Sequence, residues 1–319
     1  MGYPRSSTVV RDAPGFYHCI SRCVRRAWLC GDDPLSKRNF DHRRGWIEER
    51  LIQLSDSFAV GLYAWAVMSN HTHVVVRVDP RAARAWSSEE VARRWVRLGV
   101  TRNSAPRDPA RIEMREQALL ADPERVEEIR QRLGSLSWFM RFLNECIARE
   151  ANAEDDCTGR FWEGRFKCQA LLDEPAVLAC MAYVDLNPIR AGLCDTLTES
   201  DFTTIQRRSR LLSSERLEAG ARLGPVTGLS SDAGPGVSEV GYMDFVERAV
   251  VVARDQAADA ALVPSAVLQS AIRGSPEWWR DALQRIESRF GHAVGTHETL
   301  KAFAGETGRA WIRGLAIGR

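Results

Sequence analysis

The chain is poor in histidine, with 6 among 319 residues. It has little net charge: 44 basic residues nearly balance 42 acidic ones, leaving +2, a total that says nothing about where the charges sit. No apolar run approaches the length that crosses a bilayer. The opening stretch "MGYPRSSTVVRDAPGFYHC" lacks the apolar segment of a signal peptide. A cytoplasmic protein with no membrane partner is expected. Eight cysteines occur, but no CxxC pair. Cys19, Cys23 and Cys30 stand close together while the rest scatter, and structural zinc usually needs tighter pairing. They read as reduced, mostly buried thiols, with a zinc cluster at those three as the lesser reading. No GxxxxGK[ST] loop is present, so nothing points to a nucleoside triphosphate as energy source. With 45% hydrophobic and 27% charged residues, the composition is that of a globular protein of one large domain or two smaller ones.

Against this scarcity, two of the histidines sit together in "SNHTHVVV" at 69–76. A strand alternates its side chains between two faces, so His71 and His73 share one face and Thr72, Val74 and Val76 the other. Imidazole is a common ligand for divalent metals. The plainer reading is two polar residues on the wet face of a half-buried strand.

The rest of the chain frames that strand. "GFYHCISRCV" (15–24) reads as a first strand. Phe40, Trp46, Ile47, Leu51 and Leu54 make a helical stripe within 38–58. Residues 59–78 read as two strands joined by a turn near "MSN", ended by Pro80. Short helices are expected over 81–133. Residues 135–152 form an amphipathic helix with Trp138, Phe139, Phe142, Leu143 and Ile147 on its apolar side. "FKCQALL" (166–172) suits a strand. A helix follows, with Asp173 as N-cap, Pro175 in its first turn and Pro188 as its stop. Interleaved strands and helices suggest an α+β sheet with helices packed on one face. Residues 211–241 are Gly- and Ser-rich, like a linker or long loop, and 242–319 look helical, with Trp278, Trp279, Leu283 and Ile286 as a buried stripe.

Basic residues cluster locally. "CISRCVRRAW" carries Arg22, Arg25 and Arg26 without an acid, and "GRFWEGRFK" interleaves Arg160, Arg165 and Lys167 with Phe161, Trp162 and Phe166. Such mixtures hold phosphates and stack on unpaired bases, although each stretch alone also fits a solvated face over core aromatics. Farther on, "YVDLNPIRAGL" puts Tyr183 and Asn187 four residues apart, on one helical face. Taken singly, Tyr183 reads as a core or rim residue and Asn187 as a helix end.

Together and in this order, "FYHCISR", "MSNHTHVVV", "GRFWEGRFK" and "YVDLNPIRAGL" resemble the HUH single-strand endonucleases, and among them the REP-associated tyrosine transposases (IS200-like). The resemblance covers roughly residues 15–208. It implies a ferredoxin-like antiparallel sheet, with residues 1–210 as the transposase domain; the helical segment at 81–133 looks expanded relative to that pattern, and the helical C-terminal extension beyond the linker has no counterpart in it. It also implies that His71 and His73 bind a divalent metal, that Tyr183 is the nucleophile, and that Asn187 completes the metal site. The chain departs from the family pattern at Thr72, usually bulky and apolar, and at Ser69, where proline is common.

The implied activity is metal-dependent cleavage and transfer of single-stranded DNA through a 5′-phosphotyrosine intermediate, at sites flanked by hairpins. Mg²⁺ or Mn²⁺ is the implied ion, with nitrogen ligands favouring Mn²⁺. Arg22, Arg25, Arg26, Arg160, Arg165 and Lys167 are candidates for phosphate contacts, and Phe161 and Trp162 for base stacking. A monomer and a dimer are both compatible with the resemblance. Two alternatives stay open: a non-catalytic nucleic-acid-binding protein on the same fold, and a metal-dependent phosphodiesterase that uses water.

Overall fold

In the computed structural model, residues 8–10, 12–24, 29–33, 36–99, 108–230, 234–254, 279, 282, 283, 286, 287 and 289–316 are described. Their centre is a hairpin. Strand β2 (Val60–Val67) and strand β3 (His71–Val78) are joined at Met68, Ser69 and Asn70 and pair antiparallel. Strand β1 (Gly15–Arg22) lies against β3, and β4 (Lys167–Leu171) against β1, both antiparallel. The expected first strand, hairpin and fourth strand are therefore present.

Three short strands from the C-terminal third complete a seven-stranded sheet. They are β5 (Thr227–Gly228), β6 (Ala293–Gly295) and β7 (Gly314–Ala316), and the sheet order is β5-β2-β3-β1-β4-β6-β7. The pairings β4–β6 and β6–β7 are parallel, so the sheet is mixed rather than antiparallel throughout. The C-terminal third is correspondingly not a purely helical extension.

Helices cover both faces of this sheet, which corrects the expectation of one covered face. The cause is visible in β2, "VGLYAWAV", where every residue is buried. A strand apolar on both sides needs cover on both. Leu62, Trp65, Val67, Val74 and Val76 pack with α1 (His42–Ser57), α3 (Ser88–Leu98), α5 (Pro123–Leu133) and α6 (Leu136–Glu154). Tyr63, Ala64, Ala66 and Val75 pack with α7 (Glu174–Asp185) on the opposite side. The short helices α2 (Pro80–Ala85) and α4 (Pro109–Leu120) complete the 80–133 segment.

Asp173 caps α7 by accepting from the Ala176 amide at 3.1 Å, with Pro175 in the first turn, as the sequence predicts. Its other carboxylate oxygen accepts from the Thr296 amide at 2.7 Å, at the start of α11 (His297–Glu306). Beyond α7, the chain forms the single turn α8 (Asn187–Arg190), then α9 (Thr204–Ser213) and, after β5, α10 (Glu239–Arg254).

The described parts of the 211–241 segment, 211–230 and 234–241, make packed contacts with the sheet. Leu223 and Val237 are buried, and the amides of Val226 and Leu229 donate to Leu62 and Val60. Its glycines serve close approach. Gly228 has φ +90°, and a Cβ there would stand 2.3 Å from the Val60 carbonyl oxygen. α10 is then held over α7 by a buried polar network. The Arg208 guanidinium pairs with Glu239 at 2.5 Å and donates to the carbonyls of Tyr63 and Gly224. The Tyr242 hydroxyl donates to Asp185 at 2.5 Å. Tyr242, Phe245, Trp279, Leu283 and Ile286 close the apolar side of α7, so each residue from Ala176 to Asp185 is buried. Trp278 of the expected stripe lies outside the described residues. Among the described residues, no helix is long and apolar enough to cross a membrane.

Candidate active site

β3 carries His71, His73 and Val75 on the face that α7 covers. In the β1–β3 register, Arg22 stands opposite His71 and Ile20 opposite His73. The two imidazole rings lie 4.8 Å apart, nearly perpendicular. His71 Nδ1 donates to Asn70 Oδ1 at 2.5 Å, which leaves its Nε2 as a lone pair. Among the described residues that buried Nε2 has no hydrogen-bond partner, and neither has the Nε2 of His73, a residue with no exposed surface.

Tyr183, near the C-terminal end of α7, reaches the same place. Its ring centroid lies 5.7 Å from that of His73. Its hydroxyl donates to Glu287 Oε2 at 2.7 Å. The same oxygen is 4.0 Å from His73 Nε2, while Glu287 Oε1 accepts from Arg22 at 3.2 Å. One ligand atom each from His71, His73 and Glu287 lie within 4.8 Å of one another. Two lone pairs and a carboxylate converge here, a donor set of the kind that binds a divalent cation. Cys19, Cys23 and Cys30 are buried and form no such group with other ligand-type residues among those described.

The titration behaviour follows from burial. Desolvation lowers His71 to about 4, and it lowers His73 well below its ordinary value, with the neighbouring His18 and His71 adding to the effect. Both imidazoles are neutral near pH 7, the form that binds metal. Burial raises the Tyr183 phenol, and the Glu287 charge raises it further, while Arg190, 4.6 Å above the ring, partly offsets both. Burial would raise Glu287 too, but the Tyr183 hydrogen bond and the positive groups around it bring it below the usual carboxylate value.

Asn187 begins α8, one turn beyond Tyr183; it is buried, and its Nδ2 has no hydrogen-bond partner. The basic candidates divide. Arg22 is at the site, and Lys167 is close enough for its charge to act on His71. Arg160 and Arg165 are exposed on the loop before β4. Arg25 and Arg26 lie outside the described residues. Phe161 and Trp162 are buried, 2% and 9% exposed, and pack edge-to-face, with the Trp162 indole donating to the Asn144 carbonyl. That burial removes both rings from the surfaces on which a base could stack. The loop's backbone ties it to the end of β1 instead, through Val24 to Phe161 and Glu163 to Arg22.

Sequence reasoning missed Glu287, His18, Gln169 and Arg190. His18 and Gln169 had a signal, since each is a polar residue flanked by apolar ones in the middle of its strand. Glu287 had none, because its place depends on a fold-back of more than a hundred residues.

No family model matches the chain, and no curated protein matches it. Among solved structures, a REP-associated tyrosine transposase bound to a REP hairpin is similar at a TM-score of 0.37 and 12% identity, over 69% of this chain and 90% of that one. A likeness of that depth establishes neither family nor activity.

Proposed function

We propose that this protein is a metal-dependent endonuclease and strand transferase for single-stranded DNA, acting as a transposase through a 5′-phosphotyrosine intermediate. The observation that carries the reading is one convergence. The Tyr183 hydroxyl and two partnerless imidazole nitrogens meet at the Glu287 carboxylate, although β3 and α7 lie a hundred residues apart in sequence.

His71, His73 and Glu287 are the residues that would hold a divalent cation, Mn²⁺ or Mg²⁺, with Asn187 as a further ligand from α8. Replacing an all-neutral ligand set by one with a carboxylate favours a hard divalent ion and leaves it one net positive charge. Bound there, the ion would polarise the scissile phosphate and stabilise charge on the leaving 3′ oxygen.

The protein's own groups supply the rest. Tyr183 Oη attacks phosphorus as the bond from phosphorus to the 3′ oxygen breaks in line. The Glu287 carboxylate, which accepts its hydrogen bond, orients the Tyr183 hydroxyl; the phenolic proton is lost to water, and the leaving 3′ oxygen takes a proton from water. The products are a 5′-phosphotyrosine and a free 3′-OH. The phosphodiester energy is retained, so attack by a 3′-OH reverses the step and joins strands. Arg22 and Lys167 flank His71 and would hold backbone phosphates; Arg160 and Arg165 extend that contact along the loop. A hairpin beside the cut is the proposed substrate feature.

The test is end-group analysis of labelled single-stranded, hairpin-flanked oligonucleotides incubated with the protein and Mn²⁺. The account predicts fragments with a 3′-OH and 5′ ends that remain attached to protein. Free 5′-phosphate ends with no attached DNA would replace tyrosine by water as nucleophile.

A further inference from the structure

Behind His73 runs a buried chain of side chains that the proposed reaction does not use. Gln169 Nε2 lies 2.9 Å from His18 Nδ1, and His18 Nε2 lies 2.9 Å from His73 Nδ1. None of the three side chains is exposed. Strand register builds the chain: His18 is the β1 residue opposite Gln169 on β4, and its neighbour across β3 is Val75, two residues beyond His73.

We infer that Gln169 and His18 are positioning residues, a tautomer relay that places the His73 proton on Nδ1 and keeps its Nε2 a lone pair for a divalent cation. The relay rests on the metal reading above for its purpose, but the proton positions can be read without metal.

The reasoning is a count of donors and acceptors. The two ends of an amide are nearly isosteric, so the chain runs in one of two directions. In the first, the Gln169 amide donates to His18 Nδ1 and His18 Nε2–H donates to His73 Nδ1. The His73 proton then sits on Nε2, which has no acceptor within hydrogen-bond distance; the Glu287 oxygen is 4.0 Å away. The other end of the Gln169 amide is bare in either direction and does not choose between them. In the second direction, His73 Nδ1–H donates to His18 Nε2, and His18 Nδ1–H donates to the Gln169 carbonyl. Both ring nitrogens of His18 are then engaged, every ring N–H has an acceptor, and the one bare imidazole atom is the His73 Nε2 lone pair. It faces the same place as the Nε2 of His71, whose tautomer is fixed alike by Asn70. Ligating histidines commonly donate their other N–H to an acceptor that fixes the ring. Here the acceptor is a neutral histidine backed by a neutral amide, so the proton is placed without adding charge beside the site.

The test reads proton positions directly, by ¹⁵N-histidine NMR of the metal-free wild-type protein, together with Mn²⁺ binding followed by EPR. The relay predicts hydrogen on Nδ1 of both His18 and His73. It predicts that Q169E, a near-isosteric change that leaves only acceptors, binds Mn²⁺ at least as tightly as wild type. H18F, which cuts the chain, should bind about 10-fold or more weakly. Hydrogen on Nε2 of either ring, or a loss in Q169E equal to that in H18F, would overturn the relay. Nδ1 protons in a protein that binds no Mn²⁺ would uphold the relay and reject the metal reading. Tight Mn²⁺ binding with an Nε2 proton in the metal-free protein would do the reverse.

Discussion

Tyr183 donates its hydroxyl proton to Glu287 at 2.7 Å, and the accepting oxygen stands 4.0 Å from the bare Nε2 of His73. One carboxylate from the C-terminal third therefore links the nucleophile candidate to the metal-ligand candidates. Glu287→Ala should weaken Mn²⁺ binding by about 10-fold or more, because ligand charge sets the affinity of divalent ions. Asn187→Ala should cost less. Isothermal titration of both variants decides it: a larger loss in Asn187→Ala would return the anionic ligand's role to the amide expected from sequence.

Arg22 and Lys167 flank His71, and Phe161 and Trp162 are buried, so single-strand affinity should rest on charge more than stacking at this end of the sheet. Lys167→Ala should weaken binding to all single strands alike. It should also reduce the slope of log affinity against log salt by about 0.7, the value for one phosphate contact on a single strand. Fluorescence anisotropy across a salt series measures this. An unchanged slope would take Lys167 off the DNA path.

Burial lowers His18 to about 3 and His71 to about 4, and puts His73 well below its ordinary value. In the unfolded chain each returns to about 6.5. Between those limits the unfolded state binds protons that the folded state refuses, so stability is lost as pH falls below about 6.5. Each such histidine contributes a slope of about 1.4 kcal/mol per pH unit. Asp185 acts in the opposite sense, since burial raises it to about 7 and its folded form keeps a proton that the unfolded form loses. Three histidines against one aspartate leave a net loss toward acid. Urea unfolding at pH 7, 6 and 5 should show it; a midpoint that does not fall would contradict the buried, neutral histidines.

The Arg208–Glu239 pair is fully buried and holds α10 against the sheet. Removing one partner strands the other charge. Glu239→Gln should cost about 3–5 kcal/mol of stability, seen as a large drop in thermal midpoint. A change near zero would mean that the C-terminal third does not fold together with the sheet.

How much of this was legible in the sequence varied with the range of the interaction. The hairpin, α6 and the capped start of α7 follow from local periodicity and from Asp173 and Pro175, and the sequence carried them. The histidine pair and Tyr183 were legible as motifs, and the structure brings them to one place. The second covered face is legible in "VGLYAWAV", whose unbroken apolar run signals a strand buried on both sides, but the order of strands and helices alone suggests only one covered face. Strands of two or three residues such as β5, β6 and β7 carry too few residues for a pattern. The Gly-rich 211–241 segment fits a linker or a long loop equally in sequence, because glycine marks both flexibility and close packing, and the approach of Gly228 to Val60 is not visible there. Phe161 and Trp162 looked like stacking platforms because burial has no signature in an interleaved basic-aromatic loop.

The most direct test of the central claim is covalent capture on a denaturing gel. Wild type and Tyr183→Phe are incubated with labelled single-stranded hairpin oligonucleotides and Mn²⁺, with and without chelator. The account predicts a protein–DNA adduct in the wild type that vanishes with chelator and with Tyr183→Phe, while the variant still binds DNA. An adduct that persists in Tyr183→Phe, or cleavage by both proteins with no adduct in either, would contradict it.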